Sequence, residues 1–353
     1  MKVEQIAGAA PGFVWVSPAE QPLRLSGFAW FAQDRVYRRM PVNPPAPLPA
    51  SVDALANSTA GGQIQFQTDS PRLAVRVELL NPHTMDHMPA TGQCGFDCYL
   101  GAPKAQRFCG VTRFPRGDVK YEHTFFAFPD SVMRNVTLNF PLYQGVKQVH
   151  VGFAPGSEVI APPAYDDARP IVVYGTSITQ GGCASRPGMA YTNILSRKLN
   201  RPFINLGFSG SGRGEREVAQ CLGLIPDPAL YVLDYEANAW GEPPIDKTLR
   251  PFIAVLREAR PSTPILVVSK VRYAREAHYP DQLATRLQKM AFQKETVESL
   301  AAAGDGNIHF FDGSTLYGDD FDEVAVDGAH PTDLGFWLMA KGLAPVIRRI
   351  LSA

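Results

Sequence analysis

The chain has 353 residues, 45% hydrophobic and 19% charged, an ordinary make-up for a soluble globular protein. Lys plus Arg and Asp plus Glu number 34 each, so no net field draws nucleic acid or an anionic membrane surface. The length exceeds one typical core and predicts two domains, and no apolar run approaches the ~20 residues of a membrane helix.

The first twelve residues carry one lysine and no apolar stretch of the kind secretion needs, so the chain reads as cytoplasmic. Strand-like pieces follow at Gly12 to Ser17 and Leu23 to Phe31, then a Pro-rich link at Pro41 to Pro49. The basic residues from Arg35 to Arg39 are too few to make a nucleic-acid surface. From about residue 60 to 153 the pattern alternates with a period near two, in Gln63-Ile-Gln-Phe-Gln, Leu73-Ala-Val-Arg-Val-Glu-Leu, His123-Thr-Phe-Phe-Ala-Phe, Val136-Thr-Leu-Asn-Phe and Val149-His-Val-Gly-Phe. Each reads as a half-buried strand, and short strands at this spacing predict an antiparallel β-sandwich or jelly-roll domain over 1–160. The histidines of this half (His83 and His87 beside Asp86, with His123 and His150) have no motif around them and read as surface or strand residues.

Pro155 to Pro170 reads as a hinge, and beyond it the rhythm changes. Apolar strands are predicted at 170–174, 203–206, 230–235, 265–269 and 308–311, and helices at 191–199, 215–222, 243–260, 281–303 and 332–351. Strands alternating with helices predict an α/β domain over 168–353, a doubly wound parallel sheet whose ligands bind outside the carboxyl ends of the strands. The five cysteines (Cys94, Cys98, Cys109, Cys183 and Cys221) are odd in number and irregularly spaced, and Cys94-x-x-x-Cys98 has no second ligand pair nearby. Free thiols, no metal and no cofactor are expected.

Chemistry concentrates at that rim. Ile171-Val-Val-Tyr-Gly-Thr-Ser177-Ile-Thr delivers a serine to a glycine turn after an apolar strand, and Asp327-Gly-Ala-His330 lies in a late loop. A hydroxyl, an imidazole and an orienting carboxylate are the three roles that acyl transfer through serine requires. Asn205-Leu-Gly-Phe-Ser-Gly210-Ser-Gly-Arg213 follows the second strand and lacks the Lys-Ser/Thr ending of a P-loop, so a backbone approaching substrate is the better reading. Asn238, in Leu233-Asp-Tyr-Glu-Ala-Asn238-Ala, can donate a side-chain N–H.

These four stretches, in this order, resemble the blocks of the SGNH (GDSL-like) hydrolases over roughly residues 170–350. Thr176 stands where the usual Asp precedes the next block residue, and Glu236-Ala-Asn238-Ala replaces the usual Gly-x-Asn-Asp. The resemblance implies Ser177 as nucleophile, His330 as base, Asp327 as its orienting partner, and an oxyanion hole of Ser177 N–H, Gly210 N–H and the Asn238 side chain. Gly95-Phe-Asp97-Cys-Tyr99 resembles the Gly-x-Asp-Leu-Tyr motif of N-terminal domains attached to a branch of these hydrolases that includes carbohydrate esterases and an acyltransferase. With that domain leaning over the rim, Asp97, Tyr99 and the aromatics Trp30, Phe31 and Tyr37 become candidate substrate contacts, beside Arg213 and Glu236 in the rim loops. The implied activity is a serine esterase removing a small acyl group, acetyl foremost, from a small-molecule or oligosaccharide ester. An acyltransferase and a carbohydrate-binding protein with an inactive hydrolase domain are the alternatives, and homo-oligomer formation stays open.

Overall fold

A computed structural model describes residues 1–4, 12–239, 241 and 243–352. The front of the chain holds β1 (Val14–Val16), β2 (Arg24–Ser26), α1 (Phe31–Asp34), α2 (Ala50–Leu55), β3 (Gln63–Thr68), β4 (Arg72–Leu79) and α3 (Ala90–Cys94). It continues through β5 (Asp97–Leu100), β6 (Arg107–Val111), β7 (Lys120–Ala127), β8 (Arg134–Asn139), β9 (Val146–Phe153) and β10 (Val159–Ile160). These strands form two antiparallel sheets, ordered β1-β9-β4-β7 and β10-β3-β8-β5-β6, with β2 on β3. Val75, Val77 and Val151 of the first sheet share one core with Ile64, Phe66 and Leu138 of the second. Period-two patterning therefore does what it should, sending alternate side chains into a common interior.

Two readings need correction here. The strand expected from Leu23 to Phe31 stops at Ser26, and Phe31 opens the short helix α1, where it stacks on Tyr37 with ring centroids 5.1 Å apart. The expected hinge also begins late, because Val159 and Ile160 pair with Thr68 and Gln67 and so belong to the second sheet.

The second half alternates as its pattern predicts: β11 (Ile171–Gly175), α4 (Ser177–Gln180), α5 (Tyr191–Leu199), β12 (Phe203–Gly207), α6 (Arg216–Leu224), β13 (Leu230–Asp234) and α7 (Ile245–Ala259). It ends with β14 (Ile265–Val268), α8 (Pro280–Ala302), β15 (Ile308–Phe311) and α9 (Asp333–Leu351). The five strands are parallel in the order β12-β11-β13-β14-β15. Both faces are covered. Ile171, Val173, Leu230 and Val232 pack with α5 and α9, whereas Val172, Tyr174, Tyr231 and Leu233 pack with α6, α7 and α8. Burial on both faces explains why these strands read as continuous apolar runs rather than alternating ones. The strand order reverses at β11, and a crevice at the carboxyl end of such a switch point is where an open α/β sheet binds its ligand.

The two halves are tied together directly beneath that crevice. Arg39, fully buried, donates to the carbonyls of Ser58 (2.8 Å), Leu55 (2.7 Å) and Gly207 (2.5 Å) and stacks over Phe208. Burial lowers its pKa to about 9. Every guanidinium nitrogen finds a carbonyl, which is the condition for keeping such a group inside. A residue read from sequence as part of a weak basic stretch thus fastens the front of the chain to the end of β12. The Gln180 side chain donates to Leu142 O (3.1 Å), and Tyr143 OH donates to Ser177 O (3.2 Å).

Candidate active site

β11 ends at Gly175, where a Cβ would overlap Thr179 Oγ1 and the Asp234 carbonyl, so only glycine lets the chain turn this tightly. Thr176 caps the following turn by accepting from Ile178 N–H (3.2 Å), which makes Ser177 the first residue of α4. At the other end of the chain, Val326 N–H donates to His330 O (2.8 Å), Thr332 N–H to Val324 O (2.8 Å) and Ala274 N–H to Gly328 O (2.9 Å). These bonds pin the loop that carries Asp327 and His330.

The result is a relay. Ser177 Oγ lies 2.8 Å from His330 Nε2, and His330 Nδ1 lies 2.7 Å from Asp327 Oδ2. Asp327 Oδ1 also accepts the backbone N–H groups of His330 (2.8 Å) and Ala329 (3.0 Å). Partial burial pushes the Asp327 pKa up, but those three donors outweigh it and hold the carboxyl at about 2. An ionised carboxylate on Nδ1 selects the tautomer whose Nε2 can take a proton from the serine. Ser177 is 7% exposed, while His330 and Asp327 reach solvent more freely.

Gly210 and Asn238 join the same cavity. Gly210 has φ +67°, a left-handed conformation suited to glycine, and a Cβ there would meet nothing within 4 Å. Ser209 N–H is held by Gln180 Oε1 (3.1 Å). Asn238 Nδ2 donates to Phe208 O (3.1 Å), which fixes the amide and leaves its second hydrogen for another acceptor. Ser177, Gly210 and Asn238 thus line one cavity.

Of the candidate substrate contacts, Glu236 lines the cavity and the others do not. Arg213 turns back to Gly210 O (3.2 Å). Trp30 packs in the core against the parallel sheet, and Tyr37 packs against Phe28 and Phe140. Asp97 is fully buried, accepting from Asn139 Nδ2 (2.7 Å) and Gly188 N–H (2.6 Å), and Tyr99 packs under the Arg197 guanidinium. The motif Gly95 to Tyr99 is thus a joint between the halves of the chain, because a buried carboxylate must spend its lone pairs on nearby donors.

That joint titrates. Desolvation raises the Asp97 pKa from 3.8 to about 6, against the lowering effect of its hydrogen bonds and of Arg197 and Arg186. The folded state therefore binds the proton more tightly than the unfolded chain, and stability falls as pH rises from about 4 to 6. Asp97→Asn is expected to flatten that fall, which amounts to up to about 3 kcal/mol, while costing about 1–3 kcal/mol at all pH for the acceptor it loses. Urea unfolding midpoints of both proteins between pH 4 and 7 check this.

Several cavity residues have no signal in the sequence. Lys270 and Tyr273 follow β14, Arg275 sits in the 3₁₀ turn Ala274–Ala277, and Gln282, Thr285, Arg286 and Lys289 line one wall from α8. His87, read as a surface residue, places its ring 5.7 Å from that of His330. His87, Cys183 and His330 offer ligand atoms within 4.8 Å of one another, the one such His/Cys/Asp/Glu group among the described residues. His330 Nδ1 is already held by Asp327, so an ion there would compete with Ser177 for Nε2. All five cysteines are free. Among the described residues, no helix is long and apolar enough to cross a membrane.

A parallel α/β sheet with a serine, a histidine and an aspartate joined at its carboxyl rim is the arrangement of a serine hydrolase. The profile of the GDSL-like lipase/acylhydrolase family matches residues 168–348, and that of the N-terminus of SGNH-hydrolase-type esterases, called GxDLY, matches residues 13–159. The chain belongs to the GDSL-like lipase/acylhydrolase family and is an esterase of that type. Among solved structures it is similar to a protein assigned as a GDSL-like lipase from Bacteroides ovatus, with 30% identity, a TM-score of 0.83, and 96% and 98% of the two chains covered. A salicylyl-acyltransferase from a tetracycline biosynthetic pathway matches at 21% identity and TM-score 0.77, covering 97% and 98%. A family two carbohydrate esterase from Cellvibrio japonicus matches at 16% and 0.63, covering 96% and 98%. The last two likenesses speak for the fold. No curated protein matches the chain significantly.

Proposed function

We propose that the chain removes a small acyl group, acetyl foremost, from a hydroxylated substrate of the carbohydrate kind, through an acyl-enzyme on Ser177. The observation that carries this reading is the relay of 2.8 Å and 2.7 Å from Ser177 through His330 to Asp327. Ser177 Oγ attacks the ester carbonyl as His330 Nε2 takes its proton, and Asp327 stabilises the imidazolium. The carbonyl oxygen, now negative, accepts from Ser177 N–H, Gly210 N–H and the free hydrogen of Asn238 Nδ2. His330 then protonates the departing alcohol, and the same imidazole activates the water that releases the acid. The domains are read as a front domain over 1–160, its two antiparallel sheets forming a sandwich of the jelly-roll kind, and a catalytic domain over 168–353.

The cavity measures about 710 Å³, far more than an acetyl group fills, which leaves room for the alcohol portion. Carbohydrate is favoured by the hydrogen-bonding side chains in the cavity lining, Asn238, Gln282 and Thr285 among them, and by likeness in fold to carbohydrate esterases. Hydrolysis is favoured over transfer because His330 is 25% exposed, so water has access to the base in the acyl-enzyme. The intact relay speaks against a purely sugar-binding role. Product analysis tests the choice: with an acetylated oligosaccharide and a tenfold molar excess of an unacetylated acceptor, roughly one acid per ester consumed is expected. An acylated acceptor as the main product would make the protein a transferase.

A further inference from the structure

The wall of the cavity contributed by α8 and the β14 loop is strongly basic. Lys270, Arg275, Arg286 and Lys289 all line it; among the described residues Glu236 and Glu276 bond to this wall, Asp246 acts on Lys289 from beyond ion-pair distance, and Asp327, also in the lining, is held by His330. Glu276 is already engaged, taking Lys270 Nζ (3.0 Å), Arg286 Nε (2.6 Å) and Tyr273 N–H (3.2 Å). Glu236 spends Oε2 on Lys270 N–H and Gln293 Nε2, both at 2.7 Å. Burial raises its pKa against the lowering effect of Lys270, Gln293 and Lys289, and its Oε1 is buried with no hydrogen-bond partner.

Positive charge is left over. Arg286 is 6% exposed, yet its Nη1 is buried with no hydrogen-bond partner. Lys289 Nζ meets only a carbonyl, Ala239 O at 2.7 Å, and no carboxylate within ion-pair distance among the described residues. Arg275 is exposed and makes no ion pair among them. A buried guanidinium N–H without an acceptor is costly, and cations crowded on one wall repel each other unless an anion sits between them. A neutral acylated sugar can accept a hydrogen bond from the guanidinium but leaves the repulsion between the cations in place.

We propose that this wall binds the negative group of the substrate, so that the ester cleaved at Ser177 belongs to a carboxylate-bearing compound. The inference rests on the esterase reading above and narrows its substrate class. Arg286 Nη1 and Lys289 Nζ supply the charge-assisted donors, and Arg275 adds field at the mouth. The carboxylate is carried either on the acyl side, as in a dicarboxylic half-ester, or on the alcohol side, as in an acetylated uronic acid.

Two matched pairs assayed with the full chain separate these sources: 4-nitrophenyl hemiglutarate against 4-nitrophenyl valerate, and an O-acetylated galacturonic acid against its methyl ester. At least one anionic member is expected to exceed its neutral partner in kcat/KM by about tenfold, the worth of one well-placed charged hydrogen bond. That preference should shrink toward parity in Arg275→Gln/Lys289→Gln and in high salt, and persist in Lys294→Gln, which lies on α8 outside the cavity. Equal or better turnover of both neutral esters overturns the inference, and so does failure to turn over either pair while 4-nitrophenyl acetate is still cleaved. Ser177→Ala assayed alongside keeps the two readings apart: full turnover by that variant defeats the esterase mechanism itself, whereas a dead variant with no anionic preference in the parent defeats only the anion wall.

Discussion

Ser177→Ala is expected to lower kcat for 4-nitrophenyl acetate by about 10⁴- to 10⁶-fold, leaving whatever the oxyanion donors achieve alone. The expected loss is this large because the imidazole and carboxylate act only through the hydroxyl they activate. Ser177 Oγ has His330 as its hydrogen-bond partner, so deletion of one oxygen should disturb little else. The thermal midpoint of the variant should therefore stay close to the parent's. A collapse of activity accompanied by a collapse of the midpoint would point to misfolding, and steady-state rates read beside a melting curve distinguish the two.

Asp327→Asn is the second large effect, with kcat/KM expected to fall by about 10²- to 10⁴-fold. The substituted amide can still accept from the N–H groups of His330 and Ala329 through one oxygen, as Asp327 Oδ1 does now. Its NH₂ would then face His330 Nδ1 and demand an acceptor there. That forces the hydrogen onto Nε2, the nitrogen that has to receive the serine proton. The carboxyl is held at about 2, so in the parent it stays charged through the whole working range and is no source of an acid limb above pH 4. Rates for both variants at pH 7 on one ester measure the difference. A loss in Asp327→Asn below threefold would mean that the carboxylate does not orient the base.

Much of this site is legible in sequence because its parts are short and local. Ile171 to Tyr174 is apolar because both faces of β11 are covered, and Gly175 follows because nothing larger fits beside Thr179. Asp327 and His330 stand three residues apart on one turn, so their partnership is visible without a fold. Strands β3, β4, β7, β8 and β9 announce themselves by alternation, since each has one face in the shared core. Strand β6 does not, because Arg107 to Val111 is exposed or only half-buried along its length and shows no apolar face.

What stays hidden depends on the tertiary arrangement. Lys289 and Arg286 look like ordinary solvated residues of an amphipathic helix until α8 is laid along the crevice. Arg39 looks like surface charge until its carbonyl partners, some from far along the chain, converge on it. Asp97 misleads in the other direction: its motif suggests a ligand contact, but full burial against Gly188 and Asn139 makes it structural. His87 meets His330 only because the loop after β4 folds over the rim, and a histidine in a polar loop carries no mark of that.

The mechanism is tested most directly by trapping the serine. Treating the protein with a fluorophosphonate and mapping the adduct by mass spectrometry should give one label, on Ser177, with activity lost in proportion to labelling. His330→Ala should react far more slowly, since the hydroxyl would lack its base. Stoichiometric labelling of another residue, or undiminished ester turnover by protein fully labelled at Ser177, would contradict the account.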